Sequence, residues 1–138
     1  MSVLVTIDTN VLISGLINND SYPGKVVNKA LSGDITPLID YDILFEYLDV
    51  LTREKFSFNK ILISKVINMI IARANFIDRI ESQEEFIDED DRVFYEVTLA
   101  ARKDSEAYLT TGNLKHYPKK PFVVEPKQMC QIIDENSK

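Results

Sequence analysis

The chain has almost nothing with which to crosslink, or to hold a metal through sulfur or imidazole. Of its 138 residues one is cysteine, one is histidine and none is tryptophan. Cys130 alone cannot close an internal disulfide or build a multi-cysteine metal site, and it reads as a small core residue. Four scattered glycines form no glycine-rich loop, which argues against a nucleotide-binding module of that kind. No apolar run approaches the ~20 residues of a membrane-spanning helix, so no membrane partner is expected. The opening MSVLVTID carries neither a basic segment nor a small-residue cleavage site. No signal peptide is therefore expected, and a cytoplasmic location is the default.

What is present suits one domain spanning residues 1–138. Hydrophobic residues make up 45% and charged residues 28%, the balance of a soluble globular chain with enough length to bury a core. The net charge of −6 at first opposes nucleic-acid binding. The acidity is local, however. Nine of the 22 acids and only two of the 16 bases, Arg79 and Arg92, lie between Asp78 and Glu96, which leaves 13 acids and 14 bases elsewhere. Such a cluster can hold cations, or it can be a solvated loop.

Hydrophobic spacing predicts mostly alternating strands and helices. Strands are expected at Val3–Ile7, Thr36–Ile39, Phe76–Ile80, Ala107–Thr110 and Phe122–Val124. Helices are expected over Thr9–Ile17, over Pro23–Leu31 and after Asp40 or Asp42. Further helices are expected from Ser57 or Asn59 to about Ala74, over Asp91–Arg102 and from Pro126 onward. This order predicts a parallel sheet with helices on both faces, and in such sheets ligands bind beyond the carboxyl ends of the strands.

The residues just past those ends are therefore the candidates. Asp8-Thr9-Asn10 follows the first strand, although all three are also good helix caps. Glu46 lies one turn into the next helix, in the apolar run Leu44–Leu48, where a merely solvated glutamate is less expected. Asp88, Glu89, Asp90 and Asp91 precede a helix whose macrodipole would favour them in any case. Thr111-Gly112-Asn113 follows the fourth strand. A hard cation such as Mg2+ or Mn2+ needs a few oxygen ligands brought from separate loops, and it relieves the repulsion among clustered carboxylates. His116 reads as surface structure more than as a catalytic acid. Lys115, His116, Lys119 and Lys120 could form a basic lip that grips phosphates. Of Tyr108 and Tyr117, either could stack on bases, with Tyr108 the better placed for buried packing.

The runs Ile7–Ser14, Asp88–Tyr95 and Leu109–Asn113 resemble the PIN domain family. Within it they resemble the branch of toxin components of toxin–antitoxin pairs, akin to VapC-type toxins. The resemblance implies a three-layer α/β/α sandwich with a parallel sheet of about five strands. It also implies a ribonuclease site dependent on Mg2+ or Mn2+. Matched position by position, it assigns catalytic and metal-binding roles to Asp8, Glu46 and Asp91, with Asp90 as the alternative to Asp91. Their carboxylates are expected to converge within about one coordination sphere. The fourth acid of many members falls at Asn113, a neutral residue, and Glu96 could compensate from the same helix as Asp91. Thr9 and Asn10 would position phosphate or water. The implied partners are an RNA substrate and an antitoxin protein that inserts a basic side chain into the acidic pocket.

Other classes fit less well. A haloacid-dehalogenase-type phosphatase needs a second Asp where this chain has Asn10. A response-regulator receiver needs paired acids before its phosphorylated Asp. The rival is a PIN domain that binds RNA or protein with little or no hydrolysis. Independently of these, the predicted helix near residues 59–74 is apolar on more than one side, through Ile61, Leu62, Val66, Met69 and Ile71. That excess suggests a second buried face, most simply a homodimer.

Overall fold

The computed structural model describes residues 2–137. Five parallel strands form one sheet in the order β3-β2-β1-β4-β5: β1 Val3–Ile7, β2 Ile35–Ile39, β3 Asn75–Phe76, β4 Ala107–Thr110 and β5 Val123–Val124. Six helices connect or flank them: α1 Thr9–Ile17, α2 Tyr22–Ser32, α3 Tyr41–Leu51, α4 Lys60–Arg73, α5 Arg92–Arg102 and α6 Pro126–Asn136. The predicted α/β/α architecture is the observed one. None of these helices is long and apolar enough to cross a membrane.

The layers follow from side-chain alternation along β1. Thr6 points at α5, where Thr98 Oγ1 donates to its hydroxyl at 2.8 Å. Val5 and Ile7 point to the opposite face of the sheet. Both are buried, as are Leu38 and Ile39 of β2 and Leu109 of β4. Local chemistry fixes the helix ends. Ser21, Asp40 and Asn59 accept from the backbone N–H of Gly24, Ile43 and Leu62 at 3.1, 2.9 and 2.7 Å. Each such cap is worth about 1 kcal/mol. Gly33 ends α2 at φ 87°, a conformation that glycine adopts without strain. The α1–α2 corner is tight: a Cβ on Gly24 would lie 2.4 Å from the Asn19 carbonyl oxygen, which only glycine avoids.

The third strand departs from expectation. Phe76–Ile80 reads as a strand, yet pairing stops at Phe76, apart from one bond from Ile77 N–H to the Ile39 carbonyl. Polar partners draw the chain off the sheet edge. Arg79 reaches Asp42 at 3.1 Å, and Asp40 and Glu96 at 3.9 Å each. The tyrosine expectation is reversed: Tyr117 is the buried one, 6% exposed, whereas Tyr108 is half-buried. Cys130 is likewise half-buried at the surface of α6 and not a core residue.

Candidate active site

Asp8 ends β1 and caps α1, so its side chain stands at the carboxyl edge of the sheet between strand and helix. It is 5% exposed. Its position is fixed on three sides. Thr111 Oγ1 donates to Asp8 Oδ2 at 2.7 Å, and the Tyr117 hydroxyl donates to the same oxygen at 3.2 Å. The Asn10 N–H approaches Oδ1 at 3.4 Å, a weak contact. Both hydroxyls fall on Oδ2, which leaves Oδ1 the less encumbered oxygen. Thr111 is held in turn through its N–H to the Val124 carbonyl at 3.0 Å and its Oγ1 accepting from Asn113 N–H at 3.0 Å.

Other elements bring the remaining acids. The buried Tyr47 hydroxyl donates to the Ile7 carbonyl, which pins α3 to the end of β1 and places its neighbour Glu46 beside the site. Asp91 closes a 3-10 turn over Glu89–Asp91 and forms the N-cap of α5, one residue earlier than the helix itself. His116 Nδ1 lies 3.3 Å from Asp91 Oδ2.

Asp8, Glu46, Asp90, Asp91, Asn113 and His116 line one cavity of about 520 Å3, together with Thr9, Asn10, Asp88 and Arg53. The structure thus brings together most of the acids singled out from sequence, while Glu96 and the lysines Lys115, Lys119 and Lys120 stay outside the lining. Lys115 is exposed outside the lining. Glu96 is buried away from it, where its carboxylate accepts from Ser82 N–H at 2.7 Å and faces Arg79 and Arg92 at 3.9 and 4.0 Å. Glu96 therefore anchors the 78–88 loop and does not stand in for the acid missing at Asn113. The basic lip is also partly neutralised, since Lys120 pairs with Glu84 at 3.3 Å.

The electrostatics are those of a pocket lined mainly by acids. The Asp91 carboxyl is pushed up to about 6, by burial first and then by Asp8 and Asp88, against a hydrogen bond from His116. Burial also raises Asp8, opposed by the Thr111 and Tyr117 hydroxyls. Glu46 is raised by burial, then by Asp90 and Asp49. Like charges favour protonation, and a cation would relieve them.

The expected convergence into one coordination sphere is not met. Among the described residues no group of three or more His, Cys, Asp or Glu is drawn together closely enough to hold a metal ion. Mg2+ does not require such a cage, because one or two carboxylates suffice when water fills the remaining positions. Asp8 and Asp91 offer those carboxylates. Thr9 Oγ1 and Asn10 Oδ1 are buried here with no hydrogen-bond partner, and both belong to residues of the cavity wall. Buried oxygens rarely stay unpaired without a ligand or water to satisfy them. The donor set therefore fits a hard divalent cation.

Sequence reasoning overlooked Thr111 and Tyr117 as supports of Asp8. A polar residue at the end of β4 was the available signal for Thr111. None existed for Tyr117, whose contact to Asp8 spans 109 positions.

Comparison with curated proteins gives no match, and comparison with solved structures gives none. A family model does match: that of the PIN domain, over residues 4–115, which takes in β1 through β4 and the positions of Asp8, Glu46, Asp91 and Asn113. The chain belongs to the PIN domain family, whose members are in general nucleases.

Proposed function

We propose that this protein is a metal-dependent endoribonuclease that hydrolyses RNA phosphodiester bonds at the cavity holding Asp8, Glu46 and Asp91. One observation carries the reading: three carboxylates from three separate elements face one cavity at the carboxyl edge of the sheet, all with raised proton affinity, beside two oxygens without partners.

In this reading Asp8 and Asp91 hold Mg2+ or Mn2+, and Glu46 completes the set directly or through water. The ion, when bound, supplies positive charge against the scissile phosphate and acidifies water. The chain's own residues do the rest. Thr111 and Tyr117 hold Asp8 Oδ2, so that Oδ1 is presented to the cavity. Thr9 and Asn10 orient water or a phosphate oxygen, and Asn113 lines the wall as a neutral donor and acceptor. His116 steadies Asp91.

The resemblance of the three motifs to toxin components extends the proposal to a toxin–antitoxin pair. An acidic cavity with Asp8, Glu46 and Asp91 suits a partner's arginine, whose planar guanidinium meets carboxylates in a bidentate way. Exposed Ile61, Leu62, Met69 and Ile71 on α4 support a homodimer through that face. The second reading, an RNA- or protein-binding PIN domain with little hydrolysis, draws support from Asn113 and from the open spacing of the acids.

Purified protein incubated with labelled structured and unstructured RNAs, in Mg2+, Mn2+ or EDTA, separates the two. Cleavage that requires metal and is lost in Asp8→Asn supports the enzyme. Binding without cleavage under every metal supports the module.

A further inference from the structure

The catalytic cavity explains where acids gather, but not what holds a polyanion against them. Its basic side chains are Arg53, already paired with Asp49 at 3.0 Å, and His116, beside Asp91. Phosphates must be held by cations elsewhere.

A second hollow, of about 230 Å3, lies between α2 and α6. Tyr22, Lys25, Lys29, Lys127, Cys130 and Asp134 line it. The Lys25 and Lys127 ammonium groups sit 5.2 and 5.9 Å from the centroid of the Tyr22 ring. Among the described residues neither lysine has a carboxylate within ion-pair distance. Lys29 pairs only with Asp34, at 3.7 Å and exposed. A chain of net charge −6 thus carries two lysines beside one exposed aromatic ring and a third, Lys29, in the same wall, with Asp134 as the single acid there.

One end of the hollow, with Tyr22, Lys25 and Lys127, lies toward the catalytic end of the sheet, whereas Lys29 stands in the last turn of α2, nearer the opposite edge. Helix α6 starts directly after β5, so its N-terminus lies at the carboxyl edge. Helix α2 ends just before β2 begins, and its 11 residues run back about 16 Å toward that same edge. Lys25 and Lys127 stand in the first turns of these helices, where both dipoles add positive potential. Ile17 lines the catalytic cavity and Tyr22 the hollow, and five residues of chain span at most about 18 Å. That is the reach of a few nucleotides.

We propose that Lys25, Lys29 and Lys127, which line the hollow beside Tyr22, bind the phosphate backbone of the RNA strand whose scissile phosphate occupies the catalytic cavity. The ammonium groups take phosphates, and the Tyr22 ring offers a face on which a base can stack. The inference rests on the ribonuclease reading, and its test is binding, so that the two can fail separately.

The experiment is fluorescence anisotropy of a labelled single-stranded RNA in EDTA, over a range of salt. It compares wild type with the triple variant Lys25→Gln, Lys29→Gln, Lys127→Gln. All three side chains are exposed, and circular dichroism checks the fold. Each phosphate contact on a single strand contributes roughly 0.7 to the slope of log affinity on log salt. The triple variant should therefore lose about 2 from that slope. Between about 50 and 200 mM salt, wild type should then lose roughly 20-fold more affinity than the variant. A control triple, Lys60→Gln, Lys65→Gln, Lys103→Gln, makes the same change in net charge and should keep the wild-type slope. An unchanged slope in the first triple, or an equal drop in the control, overturns the proposal. So does competition by polyglutamate as strong as that by unlabelled RNA, which would assign the hollow to an acidic protein. Lysine-dependent RNA binding without metal-dependent cleavage would leave the cluster standing and remove the catalysis. Cleavage with no lysine-dependent slope would do the reverse.

Discussion

Replacing Asp91 with Asn removes a charge that the folded protein holds at a cost. Burial, then Asp8 and Asp88, raise its carboxyl from 3.8 to about 6. A raised carboxyl means that folding disfavours the ionised form. The cost is therefore absent below the unfolded value near 4, grows between about 4 and 6, and is complete above about 6. At about 1.4 kcal/mol per pH unit, the step from 3.8 to about 6 corresponds to about 3 kcal/mol. Water at the cavity mouth screens part of this, leaving roughly 1–2 kcal/mol. Asn is nearly isosteric and can still hydrogen-bond His116. Asp91→Asn should thus be more stable than wild type by roughly 1–2 kcal/mol near pH 7.5 in EDTA, with the gain gone near pH 4. Urea unfolding at the two pH values measures it. Adding Mn2+ at ten times its dissociation constant should stabilise wild type by about 1.4 kcal/mol and the variant hardly at all, narrowing or reversing their order. A variant less stable than wild type near pH 7.5, or an advantage that grows as pH falls, would refute the reasoning.

Tyr117→Phe keeps the buried ring but removes the hydroxyl that holds Asp8 Oδ2. It should cost about 1 kcal/mol of stability, raise the Asp8 carboxyl further and weaken Mn2+ binding about fivefold, read by calorimetry. Glu96→Gln should lower stability by about 1–2 kcal/mol, because Arg79 and Arg92 lose their shared carboxylate, while Mn2+ affinity stays at the wild-type value. Ile61→Lys alters a side chain that is 79% exposed and should change monomer stability by less than about 0.5 kcal/mol, yet abolish the proposed α4 dimer in sedimentation velocity. A wild-type protein that sediments as a monomer at high micromolar concentration would reject the dimer itself.

The fold was largely legible because its signals are local. Val3–Ile7 and Ala107–Thr110 are apolar runs bounded by polar residues, and both strands have those limits in the structure. Caps at Asp40 and Asn59 marked helix starts through side chains that act within three residues, and Pro23 marked the first turn of α2, whose cap Ser21 only the structure shows. The third strand was misread because Phe76, Ile77 and Ile80 are residue types that favour strands, while the ion pairs of Arg79 that end it come from α3, its cap Asp40 and α5. The cavity was legible as far as topology dictates: residues just past parallel strands meet at one edge, as Asp8 and Asn113 do, while Glu46 and Asp91 reach the same cavity from α3 and the start of α5. The supports were not legible. Glu96 resembles a site acid in sequence, and only the fold turns it toward Arg79. Tyr117 resembles a loop aromatic, and only the fold carries its hydroxyl to Asp8.

The account stands on whether this cavity binds a divalent cation through its acids. A calorimetric titration of Mn2+ into wild type and Asp91→Asn near pH 6, in two buffers of different ionisation enthalpy, tests that directly. The account predicts saturable binding to wild type with a buffer-dependent heat, because a raised carboxyl releases its proton as the ion arrives. It predicts strongly weakened binding, without that proton, in the variant. No binding at millimolar Mn2+, or binding that Asp91→Asn leaves unchanged, would contradict it.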